Sequence, residues 1–184
     1  FPTRRSSDLP VCKEELSAML NWAVEQNQHP VAIRVPNRDL YSCGESDTTD
    51  YSILNKYKVT QKGEKIAILG LGNFYELALK VSDKITNNLG FKPTVINPRF
   101  ITGVDKELME SLKSNHRLVI TLEDGQIDGG FGEMISRFYG NSDVKVLNYG
   151  STKEFTDRTP LDELYSKYRL RPELIIEDIK NTLK

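Results

Sequence analysis

Apolar positions recur along this chain at two spacings, which predict two kinds of secondary structure. Short apolar runs predict strands, and apolar residues that return every three or four positions predict helices. From residue 66 the two patterns alternate, with strands predicted at 66–69, 94–96, 118–122 and 144–147 and helices at 75–89, 105–114, 131–139, 161–168 and 172–183. Such alternation, joined by right-handed crossovers, predicts an α/β fold with a doubly wound, mostly parallel sheet.

Upstream of this alternation the pattern predicts a helix followed by a strand. A helical apolar spacing runs through residues 12–27, and a short apolar run at 31–35 ends at Pro36. The apolar face of the helix comprises Leu16, Met19, Leu20, Ala23 and Val24. A helix that leads into a strand is half of a βαβ unit, so we expect this face to be partly exposed. Residues 37–51 are polar and turn-rich, which predicts a connector, and 57–59 predict a small edge strand.

The first nine residues, FPTRRSSDL, do not fit either pattern. They are polar, lack periodicity and resemble the translation of a sequencing-adapter oligonucleotide. We therefore expect residues 1–9 to be an artefact outside the fold, and the chain to be a fragment that lacks its upstream part. A disordered native tail is the alternative.

Composition and charge exclude several classes of function. The formal net charge of −1 offers no basic surface for nucleic acid. No apolar run reaches the roughly 18–20 residues of a membrane span. Cys12 and Cys43 lack a CxxC spacing, so we expect free thiols in a reducing cytoplasm. His29 and His116 stand far apart without companion cysteines, and no metal site is predicted.

The segment HRLVITLEDGQIDGGFG, residues 116–132, carries the main candidate chemistry. A strand ends in Glu123 and Asp124, and a glycine-rich loop then leads to a helix near Phe131, the order found at the ligand-binding edge of parallel sheets. The loop offers an anion site at a helix N-terminus, but a close approach to a neighbouring chain or domain is favoured. The carboxylates resemble an acid–base pair. Because no nucleophile stands beside them, interface hydrogen bonding or helix capping is favoured.

Three other features receive simpler interpretations. Arg99 follows the second predicted strand, and we expect it to form an ion pair with the carboxylates on the same sheet edge. Gly70 and Gly72 suggest a dinucleotide motif, but Tyr75 occupies the place of its third glycine, so a structural turn is favoured. His116, which precedes a buried strand, is predicted to be structural.

Several strings together resemble one enzyme family. HPVAIRVPNR, GEKIAILGLGNFYELA, VINPRFITGVD, HRLVITLEDGQIDGGFGE and KEFTDR are similar to the C-terminal part of 1-deoxy-D-xylulose-5-phosphate synthases, which belong to the transketolase family. The resemblance covers residues 10–184. It implies a remnant of the pyrimidine-binding domain at 10–38, a linker at 39–60 and a transketolase C-terminal domain at 61–184.

The resemblance also implies an activity. Enzymes of this family use thiamine diphosphate and Mg²⁺ to condense pyruvate with glyceraldehyde 3-phosphate, and the product serves isoprenoid, thiamine and pyridoxal synthesis. They are cytoplasmic homodimers. The residues that bind the cofactor and the metal lie upstream in the family, so we expect no catalytic, cofactor-binding or metal-binding residue in this chain. The fragment alone should be inactive.

One binding motif of the family falls within the chain. Its usual form is Arg-Tyr-Pro-Arg-Gly, whose second arginine grips the acceptor phosphate, and here it reads Arg34-Val35-Pro36-Asn37-Arg38. Arg34, Asn37 and Arg38 are therefore the expected substrate-binding residues. Asn37 lacks the charge of the arginine, and we expect Arg38 to reach the phosphate instead.

Two other functions remain open. The chain is alternatively a non-catalytic dimerisation module of a split transketolase. It is also compatible with the C-terminal domain of a 2-oxo-acid dehydrogenase β subunit. The predicted helix and strand upstream of the linker favour the synthase, because a separate module has no reason to carry half of another sheet.

Overall fold

A computed structural model describes residues 6–35 and 40–184. The strands are β1 Ser6–Asp8, β2 Val31–Ile33, β3 Lys58–Gln61, β4 Lys65–Gly70, β5 Thr94–Asn97, β6 His116–Gln126 and β7 Lys145–Ser151. The α-helices are α1 Lys13–Glu25, α2 Tyr75–Leu89, α3 Lys106–Leu112, α4 Phe131–Tyr139, α5 Leu161–Lys167 and α6 Pro172–Thr182. A short 3₁₀ helix, Gly72–Phe74, precedes α2.

The central sheet has five strands in the order β3-β5-β4-β6-β7. β3 is antiparallel to β5 at one edge, and the other pairings are parallel. Helices α2 and α6 pack on one face against Ile66 and Ile68. Helices α3 and α4 pack on the other against Ala67 and Leu69. Alternate residues of β4 thus enter opposite layers, which confirms the predicted doubly wound, mostly parallel α/β fold.

Three residues with strong conformational or hydrogen-bonding preferences mark the ends of helices. Gly90 ends α2 in the left-handed conformation, with φ of 77°, which a residue with a side chain rarely adopts. Asp105 caps α3 by accepting a hydrogen bond from the backbone N–H of Leu108. Pro172 opens α6, where its missing N–H costs no helical hydrogen bond. Among the described residues, none of the helices combines the length and apolarity that a membrane span requires.

A small N-terminal unit precedes the sheet. β1 and β2 pair in parallel, with Ser6 opposite Val31, and α1 connects them. The unit is therefore a complete βαβ motif and not the predicted half. The backbone of Leu9 donates to the carbonyl of Arg99, and Leu9 is buried. The expectation that residues 1–9 lie outside the fold is wrong for 6–9, while 1–5 lie outside the described residues. The origin of this segment stays a prediction.

The two cysteines correct a second expectation. Cys12 and Cys43 form a disulfide, with Cα atoms 5.9 Å apart, and are not free thiols. They are separated by 31 positions in sequence, so no local spacing signals the pair. The contact arises because the chain returns from β2 to the N-terminus of α1, where the N–H of Lys13 donates to the carbonyl of Tyr41.

The predicted linker packs against both units. Tyr51 is buried with Met19 of α1 and Phe100, which follows β5. Tyr57 is buried in the layer beneath α4, where its ring lies 6.2 Å from that of Phe131. The boundaries 10–38, 39–60 and 61–184 stay predictions.

Candidate functional site

A cleft of about 480 Å³ opens where the carboxyl end of β6 and the start of α4 meet the N-terminal unit. Its charged lining residues come from both regions: Arg34 follows β2, Glu123 and Asp124 lie in β6, and Glu133 and Arg137 lie in α4. The carboxyl ends of parallel strands meet at this edge, as the sequence predicts. Of the candidate residues, the cleft brings together Arg34, Glu123 and Asp124.

Glu123 caps helix α4. Its carboxylate oxygens accept hydrogen bonds from the backbone N–H groups of Phe131 and Gly132, at 2.9 and 2.8 Å. Burial raises the pKa of Glu123 above its ordinary value, and the two N–H groups oppose that shift. The helix-cap interpretation is confirmed. The place that an external anion would take at this helix is filled by a carboxylate of the chain itself.

The glycines of the loop allow this capping geometry. A Cβ on Gly130 would lie 2.3 Å from the carbonyl oxygen of Gln126 and 2.7 Å from Oε2 of Glu123. A Cβ on Gly132 would lie 2.5 Å from Oγ1 of Thr121. Gly130 and Gly132 therefore permit a close approach within their own domain, while approach of the loop to a neighbouring chain or domain stays a prediction.

Asp124 has a different environment from Glu123. It is exposed, accepts from Nδ2 of Asn73 at 3.2 Å, and its carbonyl accepts from Nη2 of Arg34 at 3.3 Å. The carboxylate of Glu123 thus caps helix α4, while the carboxylate of Asp124 lies at the mouth of the cleft. This arrangement does not form the mutually coupled pair that acid–base chemistry uses.

Arg99 does not form the predicted ion pair. Its guanidinium donates to Oγ1 of Thr49 at 2.8 Å and to the carbonyl of Lys56 at 2.6 Å, and it lies 5.7 Å from the centre of the Tyr51 ring. The reason is the strand order, since β4 separates β5 from β6. Arg99 also has a left-handed backbone, with φ of 62°. The residue holds the linker and does not contact the carboxylates of β6.

Sequence reasoning missed a buried polar junction between α1 and the central sheet. The carboxylate of Glu15 accepts hydrogen bonds from Nδ2 of Asn97 at 2.9 and 3.1 Å and from the N–H of Val11 at 3.1 Å. Burial raises the pKa of Glu15, and these bonds oppose the shift. An acidic residue in the first helical turn is an ordinary helix signal. Its partner 82 positions away has no sequence signal.

Two residues at the ends of the sheet, Gly70 and His116, have the structural roles that the sequence predicts. Gly70 lets α2 approach the end of β4, because a Cβ there would lie 2.7 Å from Cα of Tyr75. Tyr75 itself is buried. His116 is buried, with Nε2 2.8 Å from Oγ1 of Thr94 and Nδ1 3.1 Å from the carbonyl oxygen of Leu112. Burial lowers its pKa, so the ring is neutral and structural near pH 7.

The predicted substrate-binding residues are only partly visible. Arg34 lies at the cleft, with an exposed side chain. Asn37 and Arg38 lie outside the described residues, so their assignment stays a prediction.

The described residues do not fit a diphosphate–magnesium site. Within 6–35 and 40–184, the group of side chains close enough to share a metal ion is Cys12, Glu14 and Cys43. Mg²⁺ prefers oxygen ligands, and the two sulfurs are joined to each other. No cofactor step can be assigned to these residues.

Comparison with known protein sequences shows which family the chain resembles. A family model described as transketolase, C-terminal domain, matches residues 55–175. The chain is 34% identical over 176 residues to 1-deoxy-D-xylulose-5-phosphate synthase of Clostridium tetani, covering 92% of this chain and 27% of that protein. The enzyme of the same name from Lachnoclostridium phytofermentans is 32% identical over 168 residues, covering 90% and 26%. The chain thus spans about a quarter of the length of the curated relatives it matches.

Solved structures share the fold. A split-gene transketolase, solved as an inactive β4 tetramer, matches with a TM-score of 0.74 at 19% identity, over 96% of this chain and 57% of that one. A transketolase variant from Pichia stipitis matches with a TM-score of 0.65 at 17% identity, over 97% of this chain and 25% of that one. Both matches include the N-terminal unit as well as the central sheet, because each covers nearly the whole chain.

Proposed function

Since this chain belongs to the transketolase family through its C-terminal domain, we propose that it is the C-terminal part of a 1-deoxy-D-xylulose-5-phosphate synthase. The full enzyme would condense pyruvate with glyceraldehyde 3-phosphate and release carbon dioxide. One observation carries the proposal: identity to such synthases extends over 92% of the chain, including the unit upstream of the sheet.

The role proposed for the chain is to hold the acceptor. Arg34 lies directly after β2 and borders the cleft, so a phosphate bound near this edge meets a planar cation with several donors. Asn37 stands where the family has its phosphate-gripping arginine. Arg38 is the next cationic residue, and we assign it to the acceptor phosphate.

Thiamine diphosphate with Mg²⁺ would supply the carbanion chemistry from parts of the enzyme outside this chain. We therefore expect the chain alone to be inactive. We also propose a cytoplasmic homodimer, whose product feeds isoprenoid, thiamine and pyridoxal synthesis. Pyruvate and glyceraldehyde 3-phosphate are the proposed small-molecule partners.

The test is steady-state kinetics of the full-length enzyme with thiamine diphosphate. Arg38→Ala should raise the KM for glyceraldehyde 3-phosphate at least about tenfold, or ~1.4 kcal/mol, because it removes a charge-assisted bond to phosphate. Arg117→Ala is the matched control, since Arg117 is exposed at the opposite end of β6. An unchanged KM in Arg38→Ala would refute the assignment of this residue.

The same assay separates the proposal from its alternatives. A synthase turns over pyruvate with the free aldehyde acceptor. A module of a split transketolase would do so only after a separately encoded catalytic chain is added. A 2-oxo-acid dehydrogenase subunit would pass its two-carbon unit to a lipoyl domain and form no deoxysugar phosphate.

A further inference from the structure

Three side chains at the start of α1 carry ligand atoms that a metal ion could share. Sγ of Cys12, Sγ of Cys43 and a carboxylate oxygen of Glu14 all lie within 4.8 Å of one another. Cys12 is the N-cap residue of α1 and is 1% exposed, whereas Cys43 is exposed. The reaction proposed above uses none of these three residues, so the cluster needs a separate explanation.

Hydrogen bonds hold the two segments of this cluster together beside the disulfide. The N–H of Lys13 donates to the carbonyl of Tyr41 at 3.0 Å. The carboxylate of Glu14 accepts from the N–H of Cys43 at 2.7 Å and from the hydroxyl of Ser42. These bonds do not involve the sulfur atoms. The ligand atoms therefore stay close to one another when the bridge between the sulfurs is opened.

We propose that Cys12, Glu14 and Cys43 bind one Zn²⁺ ion when the disulfide is reduced, and that the ion then holds the start of α1 in place of the disulfide. The reduced state follows from the cytoplasmic location proposed above, since cysteine patterns in cytosolic enzymes are more often metal-binding or catalytic than structural disulfides. The site itself rests on the geometry of the cluster and requires no enzymatic activity.

The ligand set favours Zn²⁺ over other common metal ions. Zn²⁺ binds cysteine thiolates and carboxylate oxygens in one tetrahedral site. Mg²⁺ and Ca²⁺ prefer oxygen ligands, and iron–sulfur clusters are held mainly by four cysteines. Three protein ligands leave one position of the tetrahedron for a water molecule. The exposure of Cys43 gives water access to that position.

The spacing of the ligand atoms fits a tetrahedral ion. Zn–S bonds of about 2.3 Å and Zn–O bonds of about 2.1 Å place neighbouring ligand atoms about 3.6–3.8 Å apart. The Cα atoms of Cys12 and Cys43 are 5.9 Å apart, so the released sulfurs can reach this spacing by side-chain rotation. Glu14 accepts one hydrogen bond on each carboxylate oxygen, and a carboxylate has further lone pairs for a metal ion.

A dithiol reductant balances the change from disulfide to metal site. Its thiolate attacks Sγ of Cys43, because Cys12 is buried, and Cys12 leaves as a thiolate. The second thiol of the reductant then releases Cys43 from the mixed disulfide. The chain gains two electrons and two protons, and the reductant becomes a disulfide. Zn²⁺ then replaces the two thiol protons, which pass to water.

The experiment measures Zn²⁺ binding to the 184-residue chain with the disulfide intact and after reduction with a phosphine, with a chromophoric chelator as competitor. The reduced chain should bind one equivalent at least about hundredfold more tightly than the oxidised chain, because loss of a direct ligand should exceed the effect of losing an outer-shell partner. This comparison needs no substitution, so it does not depend on the folding of a variant. Equal affinities would overturn the inference.

Substitution of the carboxylate tests the third ligand. Glu14→Gln keeps both cysteines but replaces a charged oxygen ligand with a neutral amide, so it should weaken Zn²⁺ binding by the reduced chain about tenfold or more. Glu25→Gln makes the same change at an exposed position at the other end of α1 and should bind as the wild type does. Wild-type affinity in Glu14→Gln would show that the proposed ligand set is wrong.

Two further readouts locate the ion. Co²⁺ bound to the reduced chain should give thiolate-to-cobalt charge-transfer absorption, which should be absent from the oxidised chain and from Cys43→Ser. Zn²⁺ at a free concentration about ten times its Kd should slow hydrogen exchange in α1 of the reduced chain about tenfold and leave the oxidised chain unchanged.

The stoichiometry and the absorption decide against other sites. Half an equivalent of Zn²⁺ per chain would mean that two copies share the ion, and absence of the thiolate absorption would mean that the sulfurs are not ligands. Either result would overturn the inference. None of these measurements uses substrate or turnover, so failure of the metal site and failure of the proposed function are distinguishable.

Discussion

The central sheet and the N-terminal unit are both βα structures, but they are stabilised differently. Each residue of β4 after Lys65 is buried, with helices on both faces of the sheet. In the N-terminal unit, β1 and β2 form a sheet of two strands, and Leu20 and Val24 of α1 are 47% and 80% exposed. The unit is held by the Glu15–Asn97 contact, the disulfide, a small cluster around Met19, and burial of Leu9, Val11 and Cys12 in the cores of the central sheet.

The two regions differ in whether their own contacts are enough for folding. Apolar burial on two faces supplies the main driving force for folding, and the central sheet has it. The N-terminal unit has little of it and depends on a few specific polar and covalent contacts. Its uncovered apolar face supports the proposal that further sequence packs there in a longer protein.

The strongest test of the contrast is a truncation in the central sheet. Ile120→Ala removes a side chain that is fully buried in β6, and it should lower the free energy of unfolding by about 2–5 kcal/mol because it leaves a cavity. Urea denaturation followed by circular dichroism measures the loss. Leu20→Ala makes a similar truncation on the exposed face of α1 and should cost less than about 1 kcal/mol. Equal losses would show that the two regions do not differ as described.

Reduction of the disulfide tests the N-terminal unit. Opening a loop with a sequence separation of 31 should lower the free energy of unfolding by about 3.7 kcal/mol in the loop-closure model. The effect should be largest in α1, because Cys12 is the N-cap residue of that helix. Hydrogen exchange should therefore accelerate in α1 after reduction and remain slow in α2. Equal acceleration in both helices would indicate one cooperative structure.

A third test addresses the buried carboxylate of the central region. Glu123→Gln keeps one acceptor for the two N–H groups of α4, so it should cost about 1–2 kcal/mol near pH 4. The wild-type pKa is raised above 4.5 by burial. The folded state therefore binds the proton more tightly than the unfolded state. This contribution is full below about pH 4.5 and is lost as the pH rises through the folded pKa.

The pH dependence supplies the control for this variant. Denaturation midpoints measured from pH 3 to 8 should show the decline with pH in the wild type and a smaller one in Glu123→Gln. Glu163→Gln, at an exposed position of α5, should follow the wild type. A Glu123→Gln curve parallel to the wild type would mean that Glu123 is not the titrating group.

The smallest effect is expected on the outer face of α1. Val24→Ser replaces an apolar side chain that is 80% exposed, so in this chain it should change the free energy of unfolding by less than about 0.5 kcal/mol. In the longer enzyme that we propose, the same substitution should cost more because the face would be covered. Thermal unfolding of both proteins, with and without the substitution, gives the comparison. Equal small changes would contradict coverage of this face.

Periodicity predicted the central sheet well because its signals are local. The bounds of α2 and α4 follow directly from the spacing of apolar residues, and Gly90 and Asp105 mark helix ends through their own conformations and side chains. β6 extends to Gln126, beyond its apolar run, because an irregular pairing with β7 continues after Leu122. Backbone pairing of that kind leaves no hydrophobic pattern.

The contacts between distant segments could not be predicted in the same way. Glu15 with Asn97, Cys12 with Cys43 and Arg99 with the linker depend on how the N-terminal unit docks on the sheet. Arg99 is an example of a contact that the sequence pattern could not predict. It lies on the expected edge, but the position of β4 between β5 and β6 sends it to other partners. Strand order decides such pairings, and hydrophobic spacing does not report it.

The cap formed by Glu123 has a consequence for ligand selectivity. The carboxylate behaves as a tethered competitor, present at a high effective concentration beside the N–H groups of Phe131 and Gly132. Free phosphate or a nucleotide would have to displace it and leave a charge buried without partners. Helix α4 is thereby insulated from the anions of its surroundings. An anion that binds in this cleft would therefore be recognised by Arg34, on the side of the N-terminal unit.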